Sequence, residues 1–324
     1  MKKSFVLKFS VVIIVSLIGM ISSAYAQSLN LDFLFNPGLT GGYEYLAPSS
    51  INDSTDFQLS KYNFQFSQPL KTKIGVKGLD LKNFSFKKLD AKASQFFLNY
   101  NLSIIQPTIN DNGAYENLYK GGFGFTAISA SIRKGVWVYS ANAYATENSS
   151  TISNSFTPNF RGYIANVRTK NLKTFYLFGG GFLFHQGQFI PFPLLGFKTK
   201  LAPKLRTEII LPVHVKLNYR FSKKISLDVV AHYNGINTVY RQGSAYNNTD
   251  QTINARQLKT FLALNAKMGQ NYKLKIEAGY ASFQRFYAWD NKTSQTIGAA
   301  PFVGVSINYN FGKSVFGNFM NQAE

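Results

Sequence analysis

The sequence predicts an all-β fold, an antiparallel transmembrane β-barrel of about 12 strands (12 to 14), and three observations carry that expectation. Apolar residues recur at alternate positions through most of the chain. Aromatic residues make up 16% of it, with 30 Phe and 19 Tyr, yet the mean hydropathy is −0.10. Beyond the first 26 residues no apolar run approaches the length of a membrane helix, so a chain that is greasy on one parity only has to cross lipid as a closed sheet.

The alternation is clearest from Lys204 to Asn234. Leu205, Thr207, Ile209, Leu211, Val213, Val215, Leu217, Tyr219 and Phe221 hold one parity against Arg206, Glu208, His214, Lys216, Asn218 and Arg220. After Ser222-Lys223-Lys224 the same parity resumes with Ile225, Leu227, Val229, Ala231 and Tyr233 against Asp228 and His232. A period of two places successive side chains on opposite faces of a strand, so this reads as two long strands joined by a tight turn. Pairing across that turn sets His214 opposite His232 and Asn218 opposite Asp228.

Residues 1–26 read as a signal peptide: Lys2, Lys3 and Lys8, then an apolar core from Val11 to Ile21, then Ala24-Tyr25-Ala26 before Gln27. Its removal takes three lysines and no acid from a net charge of +20. No cysteine occurs, which excludes disulfides, thiolate metal sites and a lipidated cysteine. Residues 27–56 are an N-terminal segment that is periplasmic, lumenal or a first strand, 57–311 the barrel, and 312–324 a tail.

Twelve strands are expected near 59–67, 73–86, 93–106, 121–132, 135–147, 160–170, 173–185, 205–221, 223–236, 257–269, 272–286 and 301–311. Further strands at 39–47 and 193–201 would make fourteen, at the apparent cost of moving the loops near 112 and 153 to the periplasmic side. Long polar links at Gln106–Leu118, Glu147–Asn159, Asn237–Arg256 and Tyr287–Ala300 are expected outside the cell, and short turns inside. Gly122-Phe123-Gly124-Phe125-Thr126-Ala127 matches a dinucleotide fingerprint by letter but lies inside a strand, so it and Gly179-Gly180-Gly181 read as places of close packing or bending.

Val303, Val305, Ile307, Tyr309 and Phe311 alternate with Phe302, Gly304, Ser306, Asn308 and Asn310. This strand resembles the closing strand of Gram-negative outer-membrane β-barrels, and the whole mature chain looks most like the uncharacterised barrels frequent in Bacteroidota. The resemblance implies an outer-membrane location, contact with outer-membrane lipid and lipopolysaccharide, and reading of Val305, Ile307, Tyr309 and Phe311 by the barrel-assembly machinery.

The candidate lumen-lining residues are Arg206, Glu208, His214, Lys216, Asn218, Asp228, His232, Lys267, Lys275 and Glu277. Eleven basic positions on the inward parity (among them Lys61, Arg168, Lys170, Lys259 and Arg285) face three acids there, a balance that favours anions. Phe97, Phe175 and Phe283 are expected as inward plugs, and His185 at the membrane interface. No catalytic, cofactor or metal site is expected: two histidines fall short of a zinc set, and none of the three is followed by the serine that resembles lipid-cleaving barrels. Nucleic acid is excluded as a partner of an exported chain whose charge is spread over alternating strands. The sequence thus predicts a narrow passive channel or uptake pore for small polar or anionic solutes. The alternative is a closed structural or surface-binding barrel acting through loops such as Asn237–Arg256, with Tyr240, Arg241 and Tyr246; an outer-membrane lipid-modifying enzyme ranks third.

Overall fold

Alternation of this kind can be satisfied only if each strand finds a partner on both edges, and the chain does so by closing on itself. The structure, a computed structural model, describes residues 37–52, 55–77, 90–109, 117–131, 135–148, 158–171, 174–185, 188–240, 251–287 and 294–311. The expected signal peptide at 1–26 and the expected tail at 312–324 lie outside these residues.

The strands in chain order are β1 (Gly38–Asn52), β2 (Thr55–Lys77), β3 (Asp90–Ile109), β4 (Leu118–Ser131), β5 (Gly135–Glu147), β6 (Asn159–Asn171), β7 (Thr174–His185), β8 (Gln188–Ala202), β9 (Leu205–Leu211), β10 (His214–Arg220), β11 (Ile225–Tyr240), β12 (Gln251–Met268), β13 (Tyr272–Tyr287), β14 (Ser294–Ile297) and β15 (Ala300–Asn310). From β2 to β14 each pairs antiparallel with the strand before it, β15 pairs with β13, and β1 pairs with β15 from Gly38↔Asn310 to Leu46↔Phe302, which closes the sheet. β14 and β15 lie successively along β13, so they form one stave broken at Gly298, whose N–H donates to the Ser50 carbonyl of β1 at 2.8 Å. The barrel therefore has fourteen staves.

Fourteen is the upper end of the expected range, and two local departures from the expected strand list cancel. The expected strand near 59–67 and the described part of the one near 73–86, as far as Lys77, are one strand, β2, carried through Pro69 by a bulge at Leu70; residues 78–86 lie outside the described residues. The expected single strand 205–221 is instead a hairpin. Pro212 has no N–H to give a ladder and the chain reverses there, with Val213 N–H donating to Ile210 C=O at 2.7 Å. Because β9 and β10 supply one extra up-and-down pair, the connections at 110–117 and 149–157 fall at the same end as 241–250 and 288–293. The barrel begins at Gly38, inside the segment 27–56.

The β9–β10 hairpin is only half as tall as its neighbours. β8 pairs with β9 from Leu195 to Ala202 and β11 with β10 from Ser226 to His232, so the upper parts of β8 and β11 have no β9 or β10 beside them. Pro191 and Pro193 occupy that edge of β8. With the β7 ladder intact on their other side, the missing N–H groups are the ones that would have pointed at the unpaired edge. Beyond the gap β11 turns to a different partner: Val239 meets Glu147 of β5 in a short parallel bridge. The wall is thus pinched between β5 and β11.

Two apolar clusters fill the interior on either side of that pinch. One joins Phe97, Ile128, Val138, Tyr163, Leu183, Phe192, Leu194, Ile210 and Val213; the other joins Leu46, Phe57, Leu59, Ile105, Val230, Phe261, Ala281 and Phe302. A round barrel of fourteen strands spaced about 4.8 Å apart and tilted about 40° would be roughly 28 Å across the backbone. Only the pinch lets side chains meet across it. The glycines serve the same close packing: a Cβ at Gly124 would lie 2.1 Å from Asn142 Oδ1, and one at Gly179 2.1 Å from the Ile164 carbonyl.

Outside, Tyr62, Phe64, Leu102, Phe123, Phe125, Ile164, Phe178, Leu262, Leu264, Ile276, Val303 and Ile307 are exposed, on the parity expected to face lipid. Phe97 and Phe175 are buried inside as expected. Phe283 is a correction: β13 holds one more residue than β12 between Arg256↔Arg285 and Leu258↔Ser282, and at this bulge Phe283 takes φ +50° and turns its ring outward, 78% exposed.

The outward parity makes a depth-dependent test. Leu262→Arg, well inside β12, should cost about 2 to 4 kcal/mol and Met268→Arg, at its last residue, about 0 to 1. Unfolding of the two variants by denaturant in lipid vesicles measures both values.

Candidate functional site

The polar residues of the interior fall into a ladder because neighbouring strands set them side by side. Lys198, Glu208 and Lys216 are three successive partners across β8, β9 and β10. Glu208 is the centre. Its Oε2 lies 3.3 Å from Lys198 Nζ, while Oε1 lies 3.2 Å from Lys216 Nζ and 2.8 Å from His214 Nε2. Glu208 is buried, with a side chain 10% exposed against 32% for Lys198. One carboxylate thus serves three basic groups, and charge-assisted contacts of this kind hold the half-height hairpin to β8.

Arg206, Asn218 and Asp228 form the next row, one step closer to the short turns. Asp228 accepts from Asn218 Nδ2 through Oδ1 and from Asn265 Nδ2 through Oδ2, the latter at 3.0 Å. On the other side of the hairpin His214 faces His232, as the turn at 222–224 implied, with rings 6.4 Å apart and edge-on. His214 is committed to Glu208, whereas His232 Nε2 is buried without a hydrogen-bond partner among the described residues. Among the described residues, no group of three His, Asp or Glu gathers at metal-binding spacing.

Lys275 and Glu277 pair with each other on β13, and Lys275 stands 5.8 Å from the Phe261 ring centre. Lys267 shares their inward parity but sits at the rim and is exposed. Arg168, Lys170 and Arg285 depart from the inward set, Lys170 sharing the parity of Arg168 and Arg285 lying beyond the bulge at Phe283, both exposed. Arg168 lies on the outer parity of β6, where its Nε donates to Asn166 Oδ1 at 2.7 Å.

Two groups of interior residues escaped sequence reasoning. Glu44 of β1 pairs with Lys259 of β12, itself 4.6 Å from the Phe302 ring centre, and feels the charge of Lys61. The alternation of Tyr43 and Tyr45 was the available sign that Glu44 points inward. Near the loop end, Lys120 of β4 and Arg161 of β6 stand 5.1 and 5.8 Å from the ring of Tyr144 on β5. Both share the inward parity of their strands, but each borders a long link and so looks like a solvated strand end. His185 is buried at the end of β7, on its inward parity, within electrostatic reach of Lys120.

A family model described as a domain of unknown function (DUF6268) matches residues 134–319. No curated protein sequence matches the chain. Several solved barrels share its fold at low similarity. The translocator domain of the autotransporter NalP from Neisseria meningitidis is 9% identical, with 90% of this chain and 93% of that one covered at a TM-score of 0.32. The transport unit of the autotransporter AIDA-I from Escherichia coli is 9% identical, with 90% and 96% covered at 0.30. The Pseudomonas putida toluene transporter TodX is 9% identical, with 89% and 95% covered at 0.25.

The Glu208 arrangement predicts an asymmetric response to mutation. Glu208→Gln leaves Lys198, Lys216 and His214 facing one another and should cost on the order of 2 to 3 kcal/mol, between the exposed and the buried ion-pair ranges. Adding Lys216→Met should restore part of that loss, so the double variant unfolds at higher denaturant than Glu208→Gln alone.

Proposed function

The chain belongs to the DUF6268 family, and from that premise we propose that it is an outer-membrane barrel that conducts small polar or anionic solutes through a constricted, positively biased interior. The observation that carries this reading is the charge of the inner wall. Lys61, Lys120, Arg161, Lys198, Lys200, Arg206, Lys216, Lys259 and Lys275 take the inward parity, against Glu44, Glu208, Asp228 and Glu277. A wall of that sign concentrates anions and repels cations in a narrow aqueous path. The exposed apolar exterior supports an outer-membrane setting, since a surface of this extent has no stable place in water.

The constriction also supports a second reading. The two apolar clusters and the β5–β11 pinch narrow the interior enough for a barrel whose work lies at its surface. Conductance separates the two. Purified protein in a planar bilayer should give small steps that reverse toward the chloride potential in a salt gradient, and Lys216→Glu should shift that reversal toward the cation potential. A silent bilayer with correctly folded protein selects the surface reading, and cation preference in the unmodified protein overturns the proposed charge selectivity.

A further inference from the structure

The group at the loop end of β2, β4, β5 and β6 differs from the rest of the interior. Elsewhere in the interior four basic side chains meet a carboxylate: Lys198 and Lys216 meet Glu208, Lys259 meets Glu44, and Lys275 meets Glu277. Lys120 does not. Its electrostatic neighbours are Arg161 and Lys61, and His185 feels its charge in turn, while among the described residues no carboxylate lies within ion-pair distance of its ammonium. The contact it makes is with the face of the Tyr144 ring, at 5.1 Å, and Arg161 approaches the same ring at 5.8 Å. An aromatic face offsets only part of the repulsion between cations held together out of water.

Tyr144 supplies the second observation. It is 4% exposed, and among the described residues its buried hydroxyl has no hydrogen-bond partner. A buried hydroxyl left unpaired is costly, so a tyrosine in such a place points to a partner beyond the described side chains. Its position places the hydroxyl in the same group as the two cations. Tyr144 lies opposite Gly122, the inward neighbour of Lys120 two residues along β4, and opposite Asn159, two residues before Arg161 on β6. Gly122 keeps that row close, since a Cβ there would lie 2.5 Å from Asn101 Oδ1 and 2.8 Å from Tyr144 Cβ.

We propose that Lys120, Arg161 and the Tyr144 hydroxyl form a binding site for a phosphate-bearing anion at the loop end of the barrel. Two cations and one neutral donor on three adjacent strands suit a tetrahedral oxyanion, which accepts from several directions at once. Lys61 and His185 add to the field around it. The site deepens the proposed anion conduction by giving the anion a first resting place, and it rests on that reading only for its role, not for its chemistry. The phosphate can be free solute or the headgroup of a lipid, and the test separates them.

The test uses the full folded barrel, delipidated in a neutral detergent, with unheated and heated electrophoretic mobility confirming the fold of every variant. Thermal unfolding is followed against inorganic phosphate, with chloride at equal ionic strength as the reference. Phosphate should raise the midpoint with saturation in the unmodified protein. Lys120→Gln and Arg161→Gln should each weaken the apparent affinity about tenfold or more, the usual loss for a charge-assisted contact, and Tyr144→Phe should weaken it with the charge unchanged. Without phosphate Lys120→Gln should unfold no lower than the unmodified protein, because it removes a repulsion.

A shift that chloride reproduces, or one that survives in Lys120→Gln, overturns the site. If inorganic phosphate has no effect but a detergent-dispersed anionic phospholipid gives the same variant-sensitive shift, the site stands with the headgroup as its ligand. No shift with either ligand overturns it. Planar-bilayer selectivity is read separately on the same variants. Anion preference retained with no response to either ligand refutes the site and leaves the conduction reading standing, and a variant-sensitive response to either ligand in a silent bilayer does the reverse.

Discussion

Everything in this barrel follows from one requirement: a backbone crossing lipid has to spend its hydrogen bonds on itself. That requirement explains why β1 meets β15, why β2 runs on through Pro69 with a bulge, and why β11, after losing β10 at His232, goes to β5. It also explains the two prolines on the upper edge of β8. Where no partner strand exists, the chain places residues with nothing to donate. The alternation of apolar and polar side chains is secondary to this, because a closed ladder fixes which parity points out and which points in.

Closure explains the wall but not the filling. Barrels of eight strands fill with side chains, and those of sixteen leave water inside. A fourteen-stave wall has too large a circumference to fill if it stays round. Cutting β9 and β10 to seven residues each shortens the upper wall, and the β5–β11 bridge draws the remaining strands together. Phe97 and Phe261 can then lie in packed clusters on either side of the pinch instead of projecting into a channel. The polar ladder around Glu208 and Asp228 occupies the part that stays wide.

Parity was legible in the sequence and height was not. The register of β10 on β11 follows from a single turn at 222–224, which sets His214 against His232 and Asn218 against Asp228. What the alternation could not reveal is a hairpin that keeps its parity. Because the reversal at Pro212 is centred on one residue, Glu208 and Lys216 both stay inward, and nothing in the pattern from Leu205 to Phe221 marks the fold. The ion triad around Glu208 depends on that reversal, so its members could be named as lumen-facing but not brought together. Lys120, Arg161 and Glu44 were missed for a different reason: each borders a link or the uncertain start of the chain, where alternation is shortest. Phe283 was misplaced because one inserted residue inverts the parity locally.

The seam between β1 and β15 has a kinetic meaning. Gly38 is paired with Asn310, so the first staves and the last share an edge although almost the whole described chain separates them. Loop-closure entropy makes that the least favourable contact to form early. Until β15 arrives, β1 and β13 each present a long unsatisfied edge, a template for pairing with any other chain in reach. A barrel wired this way depends on its final strand for more than one fourteenth of its wall. Losing β15 would open the closed wall and leave two long free edges, and the consequence would be association between chains rather than a slightly smaller barrel.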